Sequence, residues 1–164
     1  MVRAEPIKKD DYYKGKIQKK FLAPPISIYR LQYFLQEIFA KEIKEGKLII
    51  DVIDPNLISA TTGSMQSLFS KVRAGEYKII GFSPIRVLLG EDLFFMNEIH
   101  NEAINSGVCP LFIAGGNEAS INSKVLFETM PWLDFCIYGL GEPVLRDIIK
   151  RMFANLGKEF TKKD

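Results

Sequence analysis

Four short apolar runs, each closed by a turn signal and separated from the next by an amphipathic stretch, constrain this chain more than anything else in it. Leu48 to Ile53, Tyr77 to Phe82, Cys109 to Ala114 and Leu133 to Tyr138 are rich in β-branched and aromatic residues and nearly continuous in apolarity. A strand covered on both faces reads this way, whereas a strand with one wet face alternates. The intervening segments carry helical periodicity. Ile28, Leu31, Leu35, Ile38 or Phe39, and Ile43 recur at three- and four-residue spacing, with Glu37, Lys41, Glu42, Lys44 and Glu45 on the other face and Gly46 at the end. Ser64 to Ala74 predicts a short helix capped by Ser64 and closed by Gly75. Asp92 to Ser106 predicts another, with Phe95, Met96, Ile99 and Ala103 inward and Gly107 after it. A third runs from Asn122 to Met130 and stops at Pro131. The last opens at Glu142-Pro143 and turns Val144, Leu145, Ile148, Ile149, Met152 and Phe153 inward. One more strand, Lys16 to Phe21, is weakly encoded at the front.

Apolar strands alternating with amphipathic helices imply right-handed crossovers and a parallel sheet with helices on both faces. The expected class is α/β, a three-layer, doubly wound parallel sheet of about five strands, the first of them doubtful. At 164 residues one domain is expected. Residues 24–156 form it, after a basic segment 1–23 whose composition suits partial disorder and before a polar tail 157–164. No apolar run approaches the roughly 20 residues of a membrane span, and the N-terminus lacks a secretory pattern. Cys109 and Cys136, the two cysteines, each lie in an apolar stretch and read as buried free thiols of a reducing, cytoplasmic compartment. Seven basic residues face three acidic ones in the first twenty, and five face two in residues 150–164, so the positive charge sits on the tails and the body is net acidic. A nucleic-acid reader needs that charge on its folded core, so neither a nucleic acid nor a membrane is an expected partner.

Ligands of such sheets lie beyond the carboxyl ends of the strands. Three loops stand there: Ser83-Pro84-Ile85-Arg86, Gly115-Gly116-Asn117-Glu118-Ala119-Ser120 and Gly139-Leu140-Gly141-Glu142-Pro143. Each has two readings. Paired glycines make a tight turn, or let backbone N–H groups approach a phosphate or flat ring near a helix N-terminus. Ser83 caps its loop, or hydrogen-bonds a ligand. Glu142 complements the first turn of its helix, or accepts hydrogen bonds from a ligand or partner. Thr61-Thr62-Gly63-Ser64 is a fourth candidate that reads more readily as a cap.

Taken together, Pro24-Pro25-Ile26, Ile80-Gly81-Phe82-Ser83, Ile113-Ala114-Gly115-Gly116-Asn117 and the run from Leu133 through Gly139-Leu140-Gly141-Glu142-Pro143 to Leu145 form an ordered set of landmarks. The set resembles the N-terminal cobalamin-binding domain of cobalamin-dependent radical S-adenosylmethionine enzymes, from about Pro24 to Met152. The resemblance implies a flavodoxin-like sheet holding cobalamin against its C-terminal edge. It carries the cofactor's nucleotide tail onto Ser83, Gly115 and Gly116, adds Pro84 and Asn117 of the same loops as cofactor-binding candidates, and has Gly139, Gly141 and Glu142 bordering the same edge. It also implies a partner, the radical S-adenosylmethionine domain, joined in cis if the chain is a fragment or in trans otherwise.

Three departures stand out. The Asp-x-His-x-x-Gly loop that supplies a lower histidine ligand to cobalt is absent; the one histidine, His100, falls mid-helix beside the apolar stripe and reads as a surface or boundary residue. The first strand, which would flank the site, is poor. The three clustered cysteines of a four-iron cluster are missing, so no iron–sulfur cluster is expected in this chain and it is not catalytic in isolation. Other classes fit less well. A response-regulator receiver needs an Asp where the chain has Ser83 and a Lys where it has Gly139, flavodoxin needs a Ser/Thr phosphate loop after Phe21, and a hydrolase needs a Gly-x-Ser-x-Gly elbow. No metal-ligand spacing occurs either. Two expectations remain: a cobalamin module of a radical enzyme of methyltransferase type, or a binding or scaffold domain of the same fold that has lost the cofactor.

Overall fold

A computed structural model describes residues 26–53, 64–85 and 89–155. The elements run in the order α1 (Ile26–Ile38), α2 (Ala40–Lys44), α3 (Ser64–Arg73), β1 (Ile79–Phe82), α4 (Leu89–Asn105), β2 (Leu111–Ala114), α5 (Gly116–Thr129), β3 (Phe135–Cys136) and α6 (Gly141–Ala154). The three strands form one parallel sheet in the order β1-β2-β3, with Ile79 opposite Leu111 and Ile113 opposite Phe135. All four residues of β2 are buried. The predicted class is therefore present as a mixed α/β fold with a parallel open sheet, built on three strands among the described residues rather than about five.

Period-two alternation sorts the apolar side chains of this sheet between two helix layers. Ile80, Phe82, Phe112, Ala114 and Cys136 join the cluster of Leu68, Phe69 and Val72 from α3, Phe95, Met96, Ile99 and Ala103 from α4, and Ala119 and Leu126 from α5. On the other face, Ile79, Leu111, Ile113 and Ile137 join Leu145 and Ile148 of α6, and Ile79 also joins the cluster of Leu35, Phe39 and Ile149. Three helices thus cover one face and the α1–α2 pair with α6 the other. Phe39, in the break between α1 and α2, sits 6.2 Å from the Phe153 ring and ties that pair to α6.

Several predicted boundaries hold because local chemistry decides them. Gly107 takes φ 72° after α4, and Val108 N–H reaches back to Ala103 O at 3.0 Å, closing the helix with a left-handed residue as anticipated. The corrections have physical causes too. Leu48 to Ile53 forms no strand: its backbone finds no ladder partner among the described residues, and Ile49 is 79 % exposed. An apolar sequence sets a preference for extension, but a strand exists only where a neighbour supplies hydrogen bonds. The predicted helix from Asn122 starts earlier, at Gly116, and absorbs most of the expected glycine loop, with non-helical angles at Asn122 (φ −122°, ψ 30°) marking a kink. Cys109, expected to be buried, is exposed, because it precedes β2 in the connection from α4. The strand expected at Lys16 to Phe21, the segments 1–23 and 157–164, and Thr61 to Gly63 lie outside the described residues. Among the described residues, no helix is long and apolar enough to cross a membrane.

The sheet interior should dominate stability. Ile113→Ala, at 2 % exposure in the central strand, is expected to cost about 3 kcal/mol, while Ile121→Ala, at 73 %, stays within about 0.5 kcal/mol of wild type in urea unfolding.

Candidate functional site

A parallel ladder brings the carboxyl ends of its strands to one edge, and here three of the predicted loops meet there. Gly115 N–H donates to Phe82 O at 2.8 Å, extending the β1–β2 ladder by one bond and drawing Ser83 beside the start of α5. Gly116 follows with φ 85°, a left-handed conformation. A Cβ at Gly116 would lie 2.9 Å from Ser83 Oγ, so the serine hydroxyl fills the space that only glycine leaves free. One helical turn on, the Ser120 hydroxyl donates to Gly116 O at 3.0 Å and accepts from Gly139 N–H at 3.0 Å. This single side chain joins the first turn of α5 to the loop after β3, spending its donor and one acceptor.

Ser83, Gly115, Gly116 and Gly139 are therefore brought together. Pro84 is buried behind Ser83, and Asn117 is exposed on the first turn of α5. Among the described residues, a Cβ at Gly115, Gly139 or Gly141 would meet nothing within 4 Å, which leaves the edge above these backbones open to them. Tyr138 and Leu140 stand out from it at 82 % and 65 % exposure. Glu142 is positioned differently from the rest. Its carboxylate, 16 % exposed, pairs with Arg30 Nε on α1 at 3.1 Å, which tethers the first turn of α6 to α1. The Ser120 link, the Arg30 partner and the buried Glu118, which accepts from Asn122 Nδ2 at the kink of α5, were not singled out from sequence. A serine four residues after a glycine in a helix's first turn was a usable signal for the first. The others join positions whose pairing no local pattern encodes.

His100 lies away from this edge. Its ring stacks on Trp132 at 4.4 Å and 11° and meets the Phe112 ring edge-on at 5.4 Å, while Trp132 Nε1 donates to Asn97 Oδ1 at 3.0 Å. It is the half-buried boundary residue expected, with a packing role against the α4 side of the sheet. No group of three or more His, Cys, Asp or Glu that could hold a metal occurs among the described residues. Burial raises the Cys136 thiol above its ordinary pKa, which keeps it protonated and weakly nucleophilic.

A second concavity, of about 330 Å³, lies between α1, α3 and residues 50–53, with Tyr77 beside it. Gln32, Ile50, Asp51, Val52, Ile53, Ser67, Leu68, Lys71 and Tyr77 line it. The Tyr77 hydroxyl donates to Asp51 Oδ2 at 2.8 Å and Lys71 Nζ to the same oxygen at 3.0 Å. Those two bonds, the tyrosine's foremost, hold the Asp51 carboxyl below the usual range. Burial, then the bond to Asp51, pushes the Tyr77 phenol well above its ordinary value. This groove is separate from the glycine edge.

No protein-family model matches the chain, and no curated protein or solved structure matches it significantly.

Two predictions follow from this geometry. Gly116→Ala should destabilise by about 2 kcal/mol, part from the positive φ and part from the Ser83 contact. In Ser83→Ala/Gly116→Ala only the contact part is relieved, so denaturant unfolding should give a coupling energy of the relieving sign. The Asp51 contribution to stability is present above the unfolded carboxylate value near ~4 and is lost as pH falls through its depressed folded value. The stability gap between wild type and Asp51→Asn should therefore shrink as pH falls below ~4 and stay flat from there to pH ~7 in thermal unfolding. The Tyr77 contribution runs the other way, complete below ~10 and lost as pH rises beyond it.

Proposed function

We propose that the chain is the cofactor-binding module of a cobalamin-dependent radical S-adenosylmethionine enzyme of methyltransferase type, completed by a cluster-bearing domain in cis or in trans. The observation that carries this reading is the convergence of Ser83, Gly115, Gly116 and Gly139 on one sheet edge, through the Phe82–Gly115 and Ser120–Gly139 hydrogen bonds. The resemblance transfers the nucleotide tail onto the Ser83 and Gly115-Gly116 loops and puts Gly139 on the border of the same edge, and these loops come from different parts of the sequence. The distribution of helices, α1 with α6 on one face and α3, α4 and α5 on the other, suits a doubly wound flavodoxin-like sheet in which connections switch faces.

The residues fit a large, flat, amide-rich ligand. Gly115, Gly139 and Gly141 leave open space where side chains would stand, and Tyr138 and Leu140 offer exposed apolar surface beside them. Backbone N–H groups at the start of α5 suit a phosphate. His100, stacked on Trp132 away from this edge, is not positioned toward such a ligand. Asn117 and Ser83 are the polar side chains placed to orient such a ligand, and Glu142 acts through Arg30 by fixing the start of α6. The competing reading, a scaffold domain of the same fold without cofactor, predicts the same fold and no retention of cobalamin.

The test is an absorbance titration with hydroxocobalamin followed by gel filtration. Stoichiometric co-elution is expected. Gly115→Leu should abolish it while leaving thermal stability near wild type, because Gly115 has extended angles (φ −139°) and open space at its Cβ position. Failure of the wild-type chain to retain the cofactor would favour the scaffold reading.

A further inference from the structure

The two sides of the glycine edge differ in how firmly they are held. On the α5 side, Ala119 is 1 % exposed and Glu118 5 %, so the first turn of the helix is seated in the protein interior. Glu118 Oε1 also accepts from Asn122 Nδ2 at 2.6 Å, across the kink that sets residues 116–121 apart from the rest of α5. Opposite it, the loop between β3 and α6 runs through Tyr138, Gly139 and Leu140, all three of them exposed. That loop is fixed at its ends. Ile137 N–H donates to Ala114 O at 2.8 Å as the sheet runs out, and Glu142 in the first turn of α6 is held by Arg30. Between these points Gly139 takes φ 77°, and among the described residues a Cβ there would touch nothing within 4 Å.

A left-handed glycine on an exposed loop has the most conformational freedom to lose and little packing to offset the loss. Its order then depends on hydrogen bonding, and Gly139 N–H donates to Ser120 Oγ at 3.0 Å. That oxygen is itself fixed, because the Ser120 hydroxyl donates to Gly116 O, one turn back, at 3.0 Å. The contacts therefore have a direction. A buried helical turn places a carbonyl, the carbonyl orients a hydroxyl, and the hydroxyl holds the loop. Serine suits the task, since its short side chain bonds the carbonyl four residues back and keeps a lone pair to accept with.

We propose that Ser120 is the positioning residue of this edge: its hydroxyl holds the loop after β3, with the exposed Tyr138 and Leu140, against the start of α5 before any ligand binds. A ligand that spans the two loops then meets an ordered surface and loses less conformational entropy on binding. The positioning stands on the two hydrogen bonds; that the spanning ligand is cobalamin rests on the reading proposed above.

The experiment compares the full chain with Ser120→Ala and Ser120→Thr, each checked by circular dichroism for an intact fold. Threonine keeps the hydroxyl and can bond the same carbonyl. Solvent exchange of the Gly139 amide is measured first, by NMR and without ligand. Loss of one hydrogen bond of ordinary net strength should speed it about fivefold in Ser120→Ala and leave it near wild type in Ser120→Thr. The Gly107 amide, bonded to Ile104 O at the opposite edge of the sheet, should not respond in either variant. Titration with hydroxocobalamin then reads the consequence, with binding about fivefold weaker in Ser120→Ala and restored in Ser120→Thr. Unchanged Gly139 exchange in Ser120→Ala overturns the proposal whatever the ligand. So does equal acceleration at Gly107, which marks a general loosening, or a Ser120→Thr variant that behaves as Ser120→Ala. Full cobalamin affinity in Ser120→Ala, beside a wild type that binds, overturns it as well. A wild type that binds no cobalamin while Gly139 exchange responds as expected removes the cofactor reading and leaves the positioning role established.

Discussion

The pairing of β2 with both of its neighbours is the constraint on which the rest depends. Leu111 to Ala114 is buried at every residue, and its two faces feed two different helix layers. Phe112 N–H donates to the Asp134 carboxylate, and Asp134 N–H donates back to Phe112 O, both at 2.9 Å, so β3 is registered before its own short ladder begins. At the other end the ladder extends past Phe82 to Gly115. Strand register alone therefore sets the height of three loops at one edge. The helices contribute coverage, and the site is a consequence of where the strands stop.

What the edge then does with those loops is a matter of close approach. Ser83 Oγ occupies the space beside Gly116, and Ser120 links Gly116 to Gly139. The pairing of a serine hydroxyl with a left-handed glycine accounts for Gly116, which the packing needs, whereas among the described residues nothing crowds a Cβ at Gly115. The distinction separates two readings that sequence left joined. One glycine has a structural requirement, and the other leaves an opening above the sheet.

Much of the architecture was legible because it rests on local or periodic signals. Helix ends at Gly46, Gly75 and Gly107, the inward stripe of α4, that of α6 apart from the exposed Val144, and the buried run at Leu111 to Ala114 are set by neighbours in sequence. Legibility failed where the deciding partner is remote. Leu48 to Ile53 has the composition of a buried strand, but its hydrogen bonds depend on a neighbour the run does not contain. Glu142 had a sufficient local explanation as a first-turn acid, so nothing pointed to Arg30, more than a hundred residues earlier. The stack of His100 on Trp132 likewise joins two elements whose proximity only the sheet order creates. Candidate site residues were found where strand ends predict them, and their contacts were not.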